Sequence, residues 1–86
     1  MKKVEIYTKA YCPYCSRAKS LLNAKNVAYT EYKIDVQPEL RDEMIKRANG
    51  GYTVPQIFID GDTHIGGCDD MMALEQQNKL DALLAD

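Results

Sequence analysis

The 86-residue sequence has no long apolar run, no surplus of positive charge, no even set of cysteines and only one histidine. Each shortage closes off a class of function. Without a stretch of about 20 apolar residues, no transmembrane helix is expected. A formal net charge of -2 leaves no basic excess for gripping phosphates, which argues against a general nucleic-acid binder. Three cysteines do not close into pairs, so a disulfide scaffold is a poor fit, and thiols that persist point to a reducing compartment. Met1-Lys2-Lys3 resembles the basic end of an export signal, but Glu5 and Lys9 interrupt the apolar stretch that should follow; the cytoplasm is the expected location. A structural zinc site usually draws four ligands from two pairs, and beyond Cys12 and Cys15 the chain offers only His64 and Cys68, so no metal is expected.

What remains is a balanced globular composition, 45% hydrophobic and 28% charged, with no repeat, linker or low-complexity stretch. One domain spanning residues 1–86 with a modest core is expected. Val4-Glu5-Ile6-Tyr7-Thr8 alternates apolar and polar side chains and is rich in β-branched and aromatic residues, which predicts a strand. Cys15, Ala18 and Leu22 then recur at helical spacing, and no glycine or proline interrupts them until well past Asn26. Val27 to Ile34 reads as a second strand ending at Asp35, completing a βαβ unit whose two strands should run parallel. Pro38 opens a second helix with Leu40, Met44 and Ala48 on one face; acids crowd its start, bases its end, and Asn49-Gly50-Gly51 stops it. Most of those charges read as a solvated face. Gln56 to Asp60 is a nearly unbroken apolar run suited to the middle of a sheet, and Gly61-Asp62 turns it into a short antiparallel partner at Thr63-His64-Ile65. From Cys68 onward the pattern is helical, divided near Asn78.

The chemistry is expected where the first strand hands over to the first helix, at Tyr11-Cys12-Pro13-Tyr14-Cys15. Proline is tolerated in a first helical turn, whose amides lack intrahelical partners, and this puts Cys12 at the positive end of the helix dipole. The thiolate is the nucleophile in disulfide exchange, and a free thiol with a pKa of about 8.5 is mostly protonated at neutral pH. First-turn amides, the dipole, Lys9 and Arg17 all favour the anion at Cys12. Cys15, one turn further in and facing the sheet, is placed to attack a mixed disulfide formed at Cys12. A CxxC pair beside a βαβ pattern reads better as a redox couple than as half a zinc site.

Two further stretches each admit two readings. In Thr53-Val54-Pro55 the proline either enters a strand at a position that needs no N–H, or is cis and turns the backbone of Val54 toward the thiols, where it would pair with an extended peptide. Gly66-Gly67-Cys68-Asp69-Asp70 is either a plain helix cap or a corner in which helix-start amides hold a carboxylate and an Asp holds an ammonium.

Lys9, Cys12-Pro13-Tyr14-Cys15, Thr53-Val54-Pro55 and Gly66-Gly67-Cys68-Asp69-Asp70, in that order and spacing, resemble the dithiol glutaredoxins of the small bacterial type. The resemblance covers nearly the whole chain. It implies an α/β thioredoxin fold, a four-stranded mixed sheet flanked by helices in the order βαβ-α-ββ-α, acting as a monomer with glutathione as reductant and co-substrate. It also implies a cis Pro55. Lys9 and Tyr14 would face the glycine end of glutathione, with Arg41 a further candidate; Thr53 and Val54 would line its cysteinyl part; Gly67, Cys68, Asp69 and Asp70 would meet its γ-glutamyl end. Cys68 would be a free thiol open to glutathionylation. The implied partners are disulfide-containing or glutathionylated proteins, ribonucleotide reductase among them. Two rivals are weighed on residues. A redoxin recharged by thioredoxin reductase lacks a glutathione corner, and Asp70 and Lys9 speak against it. An iron-sulfur carrier usually has Gly after the first cysteine, and Pro13 and Cys15 point away from it.

Overall fold

The computed structural model describes residues 1–86. In chain order its elements are β1 (Val4–Thr8), α1 (Pro13–Ala24), β2 (Tyr29–Lys33), α2 (Glu39–Arg47), β3 (Gln56–Ile59), β4 (Thr63–Gly66), α3 (Cys68–Gln76) and α4 (Leu80–Leu84). The four strands form one mixed sheet in the order β2-β1-β3-β4, with β1 parallel to β2 and antiparallel to β3, and β3 antiparallel to β4. This element order is the one read from the sequence, and the sheet is that of the thioredoxin fold the resemblance implies.

Element ends differ from the sequence reading by a few residues, for local reasons. Asn26 takes a positive φ of 58°, and the amide of Val27 turns back to the carbonyl of Leu22, so Val27 closes α1 and β2 begins only at Tyr29. Pro38 stands just outside α2 as its N-cap residue. Asp60 and Gly61 adopt φ values of 58° and 81°, so both belong to the hairpin turn and β3 ends at Ile59. Asn78, with φ 58°, separates α3 from α4 as expected.

The central strands are covered on both faces. Val4, Ile6, Ile57 and Ile59 point to one side, where Ala18 and Leu22 of α1, Met71 of α3, and Leu80 and Leu84 of α4 close over them. Tyr7 and Phe58 point to the other, against Ile34, Met44 and Ala48. The alternation in β1 is therefore not a contrast of core with water. All five of its residues are buried, including Glu5 and Thr8.

Both polar residues are paired. Arg47 of α2 grips the Glu5 carboxylate with two nitrogens, at 3.1 and 3.0 Å, and also donates to the Tyr7 hydroxyl and to the carbonyl of Gly61. Tyr32 donates to the same carboxylate at 2.8 Å, and the guanidinium lies 4.2 Å over the ring of Phe58. Thr8 donates to Glu31 at 2.7 Å, and Lys19 of α1 pairs with the same oxygen at 3.0 Å.

The hydrogen bonds from Arg47 hold Glu5 below its ordinary pKa of 4.5, against the opposing effect of burial. A carboxylate with a lowered folded-state pKa adds stability that is complete above its unfolded value and disappears as pH falls through the folded one. Glu5→Gln is expected to cost about 2–3 kcal/mol near neutrality, because Arg47 is left half-buried without its anion. Urea midpoints measured from pH 7 down to pH 3 should then fall less steeply in the variant than in the wild type; parallel curves would show that the pair contributes nothing.

Candidate active site

The site is built by strand register. Tyr7 of β1 faces Gln56 of β3, so the outgoing end of one strand lies beside the incoming end of the other. The chain leaving β1 becomes residues 9–12, and the chain entering β3 is Thr53-Val54-Pro55. The Val54-Pro55 peptide bond is cis, and the Cys12 thiol lies 3.9 Å from the Val54 carbonyl oxygen. The loop after β1 is secured by the Ala10 amide, which donates to the Asp35 carboxylate at 3.1 Å.

Cys12 is the N-cap residue of α1 and Pro13 takes the first helical position. Serine or aspartate usually supplies an oxygen here. In this helix the acceptor is sulfur: the Cys15 amide donates to Cys12 Sγ at 3.2 Å. Negative charge on that sulfur is therefore met by a helix-start amide and the dipole behind it. Cys15 is the more deeply covered, 2% exposed against 9% for Cys12. Burial, helped by its hydrogen bond with the Cys12 sulfur, pushes the Cys15 thiol up to about 12. One sulfur sits where an anion is supported and its partner where an anion is opposed.

Two hollows flank the thiols and share Tyr14, Thr53 and Val54. The smaller, about 360 Å³, is completed by Pro55, Gly67, Cys68, Asp69 and Asp70. The larger, about 710 Å³, contains Lys9, Cys12 and Arg41 together with Tyr11, Ile34, Asp35 and Tyr52. Most residues singled out in the sequence thus line these two adjoining hollows; Cys15 lies beneath them, Gly66 lines neither, and Arg17 sits over the Tyr14 ring, 5.7 Å from its centroid. Tyr11, named in the first motif without a role of its own, and Tyr52, which escaped the reading, also line the larger hollow; the signal available was a tyrosine beside each motif, where no core face would bury it. Both are strongly exposed.

At the Gly66-Gly67 corner the helix-cap reading holds: Asp70 reaches back and accepts the Gly67 amide at 2.8 Å. The first amides of α3, at Cys68 and Asp69, have no intrahelical acceptor and remain available to an anion. Gly66 has φ 109°, and a Cβ there would collide with the Asp70 carboxylate, so this position requires glycine. Cys68 departs from expectation. It is a free thiol but only 2% exposed, and burial raises its pKa above 9.0. Nor do His64 and Cys68 join the CxxC pair: no three His, Cys, Asp or Glu side chains come together as a metal-holding group.

This asymmetry among the thiols predicts a labelling pattern. Reduced protein treated with iodoacetamide at pH 7 should gain one adduct, at Cys12, read by mass spectrometry. Cys15 and Cys68 should react only after denaturation, whereas early labelling at Cys68 would contradict its burial.

Comparison with known proteins agrees with this geometry. Residues 4–65 match the Glutaredoxin family model. The chain is 58% identical to a glutaredoxin of Pseudomonas aeruginosa over 85 residues, 99% of each chain, and 58% identical to glutaredoxin 3 of Escherichia coli over 84 residues, 98% of this chain and 99% of that one. In three dimensions it is similar to a glutaredoxin of Brucella melitensis (TM-score 0.82, 54% identity, 98% of this chain and 89% of that one). It is also similar to buckwheat glutaredoxin in complex with glutathione (TM-score 0.86, 32% identity, 96% and 76%). Related in sequence over nearly its whole length and in fold throughout, the chain belongs to the glutaredoxin family of glutathione-dependent thiol-disulfide oxidoreductases.

Proposed function

We propose that Cys12 is the attacking sulfur and Cys15 the resolving one. The observation that carries this reading is the inequality just described: Cys12 caps the helix and accepts the Cys15 amide, while Cys15 is buried and held as a thiol. In the monothiol route Cys12 attacks the glutathione sulfur of a mixed disulfide, and the other thiol departs with the proton. A second glutathione then attacks the Cys12 adduct, releasing oxidised glutathione and restoring the thiolate. In the dithiol route Cys12 attacks a protein disulfide, and Cys15 gives up its proton and displaces the reduced protein. The Cys12-Cys15 disulfide so formed is reduced by two glutathiones. Glutaredoxins as a class sit at about -200 to -230 mV, near the glutathione poise, so either direction is accessible.

Glutathione lies, on this reading, across both hollows with its sulfur at Cys12. Lys9, Tyr14 and Arg41 face its glycine carboxylate in the larger hollow; Thr53, Val54 and Pro55 flank its cysteinyl part; Gly67, Cys68, Asp69 and Asp70 take the γ-glutamyl end in the smaller. The placement of these residues along one groove supports this, as does a related fold known in complex with glutathione. Asp70 has one oxygen on Gly67, leaving the other for an ammonium. We infer that residues 1–86 act as one monomeric domain in the cytoplasm, on protein disulfides and glutathionylated proteins, with ribonucleotide reductase among the clients.

The test is glutathione-dependent reduction of the mixed disulfide of glutathione with hydroxyethyl thiol, coupled to glutathione reductase. Cys12→Ser should abolish turnover. Cys15→Ser should retain it, while losing reduction of a protein disulfide at least tenfold, the order expected when a covalent step loses its nucleophile. Equal loss of both activities in Cys15→Ser would overturn the division of roles.

A further inference from the structure

Gln56 is the first residue of β3 and one of three buried polar side chains, 5% exposed. Both ends of its amide are engaged. Nε2 donates to Thr53 Oγ1 at 3.3 Å, and Oε1 lies 2.6 Å from His64 Nε2. Since the amide nitrogen faces Thr53, its oxygen accepts, and the His64 ring presents an Nε2–H whatever the state of its second nitrogen. His64 is held by stacking on Phe58, centroids 4.8 Å apart at 21°, and Phe58 carries the Arg47 guanidinium at 4.2 Å. The amide is also closely packed: a Cβ on Gly51 would come within 3.2 Å of Gln56 Nε2 and 3.1 Å of Ala48.

His64 belongs to β4 and lines neither hollow. Thr53 lines both. A chain of hydrogen bonds therefore runs from a strand outside the groove to a residue in its wall, immediately before the Val54 carbonyl that faces Cys12. We propose that His64 and Gln56 are positioning residues, which fix the Thr53-Val54 wall for the glutathione moiety of the substrate. This deepens the proposed function and rests on its reading of Thr53 as a groove residue. A wall held in advance spares the substrate the cost of ordering it, so the effect falls on substrate binding and leaves the chemistry at Cys12 untouched.

The decisive variant is His64→Phe, which retains a ring to stack on Phe58 and removes the N–H. KM for the glutathione-hydroxyethyl mixed disulfide should rise about fivefold, the size of one net hydrogen bond, with kcat and the rate of Cys12 alkylation within about twofold of wild type. His64→Gln, which restores a donor, should recover most of the KM. Gln56→Met keeps the length of the side chain but removes both the acceptor for His64 and the N–H toward Thr53, and should reproduce the KM rise with kcat within about twofold of wild type. Thr53→Val separates the two layers of the argument. A raised KM in Thr53→Val with a wild-type KM in His64→Phe would overturn the relay alone; a wild-type KM in Thr53→Val would overturn the groove reading beneath it. A fall in kcat and alkylation rate in His64→Phe would also overturn the proposal, since a loss of that kind is structural.

Discussion

The pairing of β1 with β3 is the constraint on which the rest depends. Antiparallel register with Tyr7 opposite Gln56 brings the exit of one strand to the entrance of the other, and the loop leading to Cys12 meets the Thr53-Val54-Pro55 segment there. Neither loop makes a site alone. The CxxC segment provides a helix-capping sulfur and its partner; the Thr53-Val54-Pro55 segment provides the wall those sulfurs face. A slip of one residue would exchange the faces of every side chain on the slipped strand, sending Ile57 and Ile59 toward α2 and Phe58 toward α1. Packing on both faces therefore protects the alignment of the thiols as much as it protects the core.

Covering both faces of so small a sheet brings polar side chains inside. Glu5, Thr8 and Gln56 are all buried in the two central strands, and no buried side-chain nitrogen or oxygen lacks a partner. Complete satisfaction matters because an unpaired polar group in such a setting costs as much as a well-formed bond contributes. The Glu5-Arg47 pair ties α2 to the sheet and, through Gly61, to the hairpin. Thr8, Glu31 and Lys19 tie β1, β2 and α1 together on the opposite face. Gln56 does the same for the loop at the groove wall.

The features that were legible in the sequence are those whose causes are local. Pro13 and the helical spacing of Cys15, Ala18 and Leu22 identify a helix start with a cysteine at its cap, and the structure has that arrangement. The hairpin announces itself through Gly61. Features set by partners far along the chain were not legible. Nothing near Glu5 indicates that an arginine 42 residues away will cover it, and nothing in α2 marks which of its charges is the one that turns inward. The resemblance implies a Cys68 thiol open to modification; the packing of α3 against the sheet, a tertiary fact, covers it. Asp70 was ambiguous for a different reason, since the same carboxylate geometry serves a cap and a ligand, and one oxygen engaged on Gly67 leaves the other free.

The burial of Cys68 bears on how electrons are counted in this molecule. Three thiols in mutual reach would allow three different disulfides, and a chain oxidised into the wrong one would need rescue before its next turnover. With the third sulfur buried in the cluster that also holds Met71 and Ile57, Cys12 and Cys15 are left as the one pair of thiols side by side, and one internal disulfide is open to the folded chain in place of three. Packing thus selects one pairing, although the cysteine count is odd.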